Sequence, residues 1–169
     1  MKLLPSEDFH ILTPLNPIGV QEALEKEIRP VGGYTFKKMF VPRATGQFEG
    51  YVFDANFEIT PVINYRNSFI PTIKGETTPH LNGSLVHVTM ALNNGVAGFM
   101  YIWMGFASIG LISGIITAVK EQSANVAMWL MPLIMLVIAY VITLGGFKSE
   151  SVGSRDKLCQ ILEGEVIKL

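Results

Sequence analysis

The sequence predicts an α+β membrane protein, in which an antiparallel β-meander with one or two short helices is joined to a two-helix transmembrane hairpin. Three observations carry that expectation. Thr77 to Val119 contains no Asp, Glu, Lys or Arg, and only Lys120 and Glu121 separate it from a second uncharged stretch, Gln122 to Phe147. Inside these lie two apolar runs, Val96–Val119 and Val126–Leu144. As helices they would reach about 36 Å and about 28 Å, against a hydrocarbon core of about 30 Å. Between Tyr34 and Leu92 the apolar residues recur with a period of two, the signature of strands.

Composition agrees. Only 16% of the 169 residues are charged, below the quarter typical of soluble domains, and the net charge of −1 gives no field for nucleic acid. The one cysteine, Cys159, allows no internal disulfide. The first residues lack an apolar run of signal-peptide length, so the hairpin itself is expected to drive insertion.

Asp8–Thr13 reads as a first strand. Asn16-Pro17 reads as a helix cap followed by proline at the first helical position, opening a helix over Pro17–Ile28 with Val20, Leu24 and Ile28 on one face. Glu22 and Lys26 are spaced as a favourable pair on it, Arg29 suits its C-terminus, and Pro30 with Gly32-Gly33 ends it. Strands are expected at Tyr34–Val41, Phe48–Phe53, Phe57–Val62, Ser68–Lys74 and Ser84–Leu92, with turns at Asp54-Ala55-Asn56 and Asn82-Gly83. Val86, Val88, Met90 and Leu92 form the better core face of the last strand. Pro61 and Pro71 imply edges or bulges at their positions.

Only Asn93-Asn94-Gly95 joins that strand to the first span, so the sheet should sit against the headgroups. After the second span, Ser154 is placed to cap a short helix, Ser154–Leu162, with Leu158, Ile161 and Leu162 on one face and Gly164 beyond its end. The expected organisation is therefore a cytoplasmic α+β domain in residues 1–94, a hairpin in residues 95–147, and a cytoplasmic tail in residues 148–169 whose helix packs on the first domain. Lys148, Arg155 and Lys157 against Lys120 alone in the connection place both termini in the cytoplasm. The order of elements is similar to that of small bacterial membrane proteins, a likeness of architecture without a family motif. Nothing is carried over from that likeness; the expected location is a membrane, the bacterial inner membrane.

Functional signals are sparse. Gly110, Gly114 and Ala118 recur at intervals of four in the first span, which lets another helix approach closely, either the second span or a second protein. Neither span holds an ionisable residue in its middle, which argues against an autonomous pump or transporter. Pro132 lies one turn into the second span, where it is tolerated, and Tyr101, Trp103 and Trp129 fit aromatic belts. Tyr65, Arg66 and Asn67 lie between strands and are the expected contact for a lipid headgroup or partner, with the competing reading that they only satisfy turn carbonyls. His10, His80 and His87 lack metal-ligand spacing, Cys159 has no histidine near it in sequence, Gly32-Gly33 lacks the rest of a phosphate loop, and Asp54 and Glu58 read as solvated surface. No catalytic residue, cofactor or metal is expected. The expected function is that of a non-enzymatic two-pass accessory or scaffold subunit whose sheet domain binds a protein partner. The competing expectation is a small oligomeric channel, or membrane-perturbing protein, assembled through the first span.

Overall fold

A computed structural model describes residues 3–30, 46–120 and 126–167. Its strands are β1 (Ser6–Thr13), β2 (Ile28–Pro30), β3 (Phe48–Phe53), β4 (Asn56–Pro61), β5 (Pro71–His80), β6 (Gly83–Leu92) and β7 (Glu165–Ile167). Its helices are α1 (Pro17–Glu27), α2 (Asn94–Lys120) and α3 (Ala127–Ile161). The strand expected at Tyr34–Val41 lies outside the described residues.

All seven described strands form one sheet in the order β2-β3-β4-β5-β6-β1-β7. The expected antiparallel meander is real for β3 to β6, but the sheet as a whole is mixed, because β2 runs parallel to β3. The cause is α1. It leaves β1 near one edge, crosses the sheet and delivers β2 to the other edge in the same direction, which no tight hairpin can do. Asn16 caps α1 by accepting the Gly19 amide at 2.7 Å, and Val20 and Leu24 are buried beneath it.

β5 begins three residues later than the sequence implies and runs six further. Phe69 packs over Gly146 of α3, whereas Pro71 through His80 pair continuously with β6 around the two-residue loop Leu81-Asn82. Gly75, one residue past the strand expected at Ser68–Lys74, sits inside β5, where the Phe57 ring fills the space a side chain would occupy, 2.0 Å from the ideal Cβ position. Pro61 and Pro71 stand at the ends of β4 and β5, where a missing amide breaks no ladder.

The faces alternate cleanly. Val86, Val88, Met90 and Leu92 of β6 are buried, as are Phe9, Ile11 and Thr13 of β1. Phe147, Leu158 and Leu162 join the same core from the far end of the chain. Thr13 Oγ1 donates to the Leu162 carbonyl, and β7 pairs with β1, Ile11 opposite Val166. Both described ends of the chain thus build one domain.

α2 and α3 are each long and apolar enough to cross a membrane, and only 6% of the most apolar stretch of either is buried, so neither is a globular core helix. Asn93 caps α2, accepting the Gly95 amide at 2.9 Å on its side chain and the Ala97 amide at 2.8 Å on its carbonyl. The buried and half-buried positions of α2 include Met100, Met104, Ala107, Leu111, Gly114 and Ala118, which alternate spacings of four and three. Trp129, Pro132, Leu136, Ala139 and Thr143 repeat the pattern on α3. This is the seam spacing of a left-handed helix pair.

The separate tail helix expected at Ser154–Leu162 is instead the continuation of α3, which runs unbroken for 35 residues. Gly145 and Gly146 weaken a helix by about 1 kcal/mol each but do not break it when one face is packed. Ser154 is accordingly a buried position in mid-helix rather than a cap. The true end is a Schellman turn, with Gly164 N–H bonding the Cys159 carbonyl at 3.0 Å and Glu163 N–H bonding the Gln160 carbonyl at 3.3 Å. Its left-handed residue is Glu163, at φ 50°. Gly164 cannot serve as a larger residue, since an ideal Cβ there lies 2.7 Å from both Ile11 Cγ2 and the Leu12 carbonyl oxygen.

Candidate functional site

Two regions bring polar groups together: the junction of α3 with the sheet, and the open face of the sheet.

At the junction, the Tyr65-Arg66-Asn67 segment is stapled to α3. Glu150 is a carboxylate only 7% exposed, on the turn that follows the apolar half of the helix. Tyr65 donates its hydroxyl to Glu150 Oε1, and Asn67 Nδ2 donates to the same oxygen at 3.2 Å and to the Gly146 carbonyl at 2.9 Å. Asn67 Oδ1 accepts the Phe69 amide at 2.9 Å, and Phe69 packs over Gly146. The hydrogen bond to Glu150 raises the Tyr65 phenol above its ordinary pKa. Tyr65 and Asn67 are therefore committed within the chain, while Arg66 is exposed and has no hydrogen bond or ion pair to any described residue.

A second staple lies nearby. Glu7 at the start of β1 accepts from Lys148 Nζ and from Ser151 Oγ, each at 2.9 Å. Burial by itself would raise the Glu7 carboxyl. The hydrogen bonds from Lys148 and Ser151, with the charges of Lys148 and Arg155, outweigh it and hold the pKa below its ordinary 4.5. Glu150 and Glu7 carry this junction, and sequence reasoning singled out neither. Neither acid stands out locally, because their partners are 83 and more residues away along the chain.

The small-residue stripe is used within the chain. An ideal Cβ on Gly110 would stand 3.6 Å from Pro132 Cγ, and one on Gly114 would lie 2.6 Å from the Met128 carbonyl oxygen. Ala118 is half-buried on the same stripe. At Gly110 and Gly114, therefore, the stripe packs against α3 of the same chain.

The other face of the sheet carries no helix among the described residues. Strand register aligns Tyr51, Glu58, Lys74, Thr89 and Asp8 in one row across it. Glu58 Oε2 accepts from Tyr51 Oη at 3.0 Å and pairs with Lys74 Nζ at 3.2 Å. That hydrogen bond raises the Tyr51 phenol above its ordinary pKa. The next row holds Phe53, Asn56, Glu76, His87 and His10. His87 Nε2 lies 2.7 Å from Asp8 Oδ1, and its ring stacks on His10 at 4.7 Å. His80 stands apart at the β5–β6 hairpin, and among the described residues no group of three or more His, Cys, Asp or Glu is placed to hold a metal. Asp54 occupies the β3–β4 turn at φ 54°. Cys159 is half-buried on α3, and burial pushes its thiol pKa up, away from nucleophilic character.

The rows frame an open depression of about 290 Å³ lined by Tyr51, Glu58, Lys74, Glu76, His87 and Thr89. Small-molecule sites are typically enclosed and occupy roughly 300–1,000 Å³. A shallow, charged, wide surface suits contact with another macromolecule better than enclosure of a ligand. No protein-family model, curated protein or solved structure matches this chain.

Proposed function

We propose that this chain is a two-pass, non-enzymatic membrane protein that holds its sheet domain against the bilayer, on the cytoplasmic side, for a protein partner to dock. It would act as an accessory or scaffold subunit. The observation that supports this reading is the continuity of α3. One helix is apolar and exposed in its first half, while its second half carries Phe147, Leu158 and Leu162 into the core of the domain. With Glu150 and Glu7 fixing the joint on two sides, the sheet has no hinge at which to swing. Its open face therefore keeps one height and one heading relative to the lipid. Lys148, Arg155 and Lys157 following the span favour the cytoplasm for both ends.

The charged row supplies the docking chemistry. A photoreactive residue at Thr89, between Lys74 and Asp8 in that row, is expected to yield one discrete heterologous adduct in native membranes. The same probe at Glu25, exposed on α1, should give none. Exchanging Glu58→Lys with Lys74→Glu keeps the ion pair but reverses the polarity presented, and should abolish the adduct without loss of fold. Absence of any adduct from Thr89 and Lys74 positions would overturn the reading.

A further inference from the structure

The clamp on Tyr65 and Asn67 fixes where Arg66 stands. Asn67 bonds the Gly146 carbonyl and, with Tyr65, the Glu150 carboxylate. Neighbouring Cα atoms are about 3.8 Å apart, so the Arg66 backbone cannot leave the level of that helical turn. Gly146 to Glu150 lie about 3–9 Å past Leu144, the last residue of the apolar run, at 1.5 Å of rise per residue. The headgroup layer of one leaflet is about 5–7 Å thick, given about 30 Å of hydrocarbon in a bilayer of about 40–45 Å. Gly146, the nearer anchor at about 3 Å, falls inside that layer, so Arg66 is presented at the headgroup level.

Its surroundings leave its charge free. Lys148, on the same level, is paired with Glu7. The Glu150 carboxylate accepts from Tyr65 and Asn67 and makes no ion pair with Arg66. Arg66 itself has no partner among the described residues, and its planar fork of donors matches two oxygens of one phosphate.

We propose that Arg66 binds the phosphate of an anionic lipid at the cytoplasmic surface and thereby selects the lipid beside the junction. The proposal rests on the membrane-embedded reading above. Anionic lipid is the occupant because a zwitterionic headgroup carries its own cation, which competes with the guanidinium for the phosphate.

The test uses the full chain in nanodiscs of phosphatidylcholine mixed with phosphatidylglycerol. Native mass spectrometry then reads which lipids stay bound on release. Wild type should retain phosphatidylglycerol in excess of its share of the mixture. Arg66→Gln should lower that excess about five-fold, the effect of one basic residue near a charged surface. Arg66→Lys should keep part of it, and Arg66→Glu should remove it. An excess unchanged in Arg66→Gln and Arg66→Glu, with both variants still resistant to alkaline carbonate extraction, overturns the lipid site alone. Release of the wild-type chain by carbonate overturns the membrane reading and the lipid site with it.

Discussion

Gly114 offers the sharpest test of how the hairpin holds together. Its ideal Cβ would lie 2.6 Å from the Met128 carbonyl oxygen, 2.9 Å from the Met128 carbonyl carbon and 3.0 Å from Trp129 Cα. All three are backbone atoms, so no rotamer change can relieve the clash. Restoring ordinary contact at 3.4 Å forces the helices apart by roughly 0.8 Å, a gap that forfeits a quarter to a half of the dispersion attraction at each separated contact. Overpacking of this kind costs about 1–3 kcal/mol. For a chain of 169 residues that lowers the melting temperature by roughly 2–12 °C. Gly98 and Gly105 on the same helix supply the control, since nothing lies within 4 Å of a Cβ at either. There, alanine removes only the glycine penalty and should stabilise by about 0.5–1 kcal/mol. Thermal unfolding in a mild detergent, followed by helical circular dichroism, reads all three variants. Gly114→Ala melting at or above wild type, or alongside Gly98→Ala, would refute close packing within the chain. Loss of a crosslinked oligomer with no change in melting would instead assign the stripe to a second protein.

Two further outcomes follow from the junction and the helix end. The Glu7 carboxyl is held below its ordinary pKa of 4.5, so its contribution is fully present above that value and is lost as pH falls through the lower folded value. Glu7→Gln should therefore be less stable than wild type at neutral pH and should converge with it in acid, as melting temperature against pH will report. Glu163 adopts φ 50° in the turn that ends α3, a conformation that costs an ordinary residue about 1–2 kcal/mol. Glu163→Gly should accordingly raise the melting temperature by a few degrees, and an unchanged or lower value would count against the Schellman geometry.

What the sequence made legible was local. The Asn16-Pro17 start of α1, the alternation of β6 and the two apolar helices each depend on residues a few positions apart. The mixed sheet escaped notice because the parallel pairing of β2 with β3 is imposed by the route of α1 over the sheet, which no short pattern records. β7, three residues long, is a strand only because β1 is there to pair with it. The Tyr65–Arg66–Asn67 segment stood out as a concentration of polar and aromatic groups, but its division of labour did not. Glu150, which separates two clamped residues from one free cation, is a single acid in a polar tail until the fold brings it to them.

Pairing residues near 10 with residues near 166 asks a chain to close a very long loop, and the entropy of doing so grows with its length. Here two rods that come down where they went up shorten that search. Once they stand side by side, as α2 and α3 do here, the late segment emerges next to the early one. The globular half therefore cannot finish before Leu162 has been synthesised, and on the proposed membrane reading the bilayer would be the jig on which its last pieces are assembled.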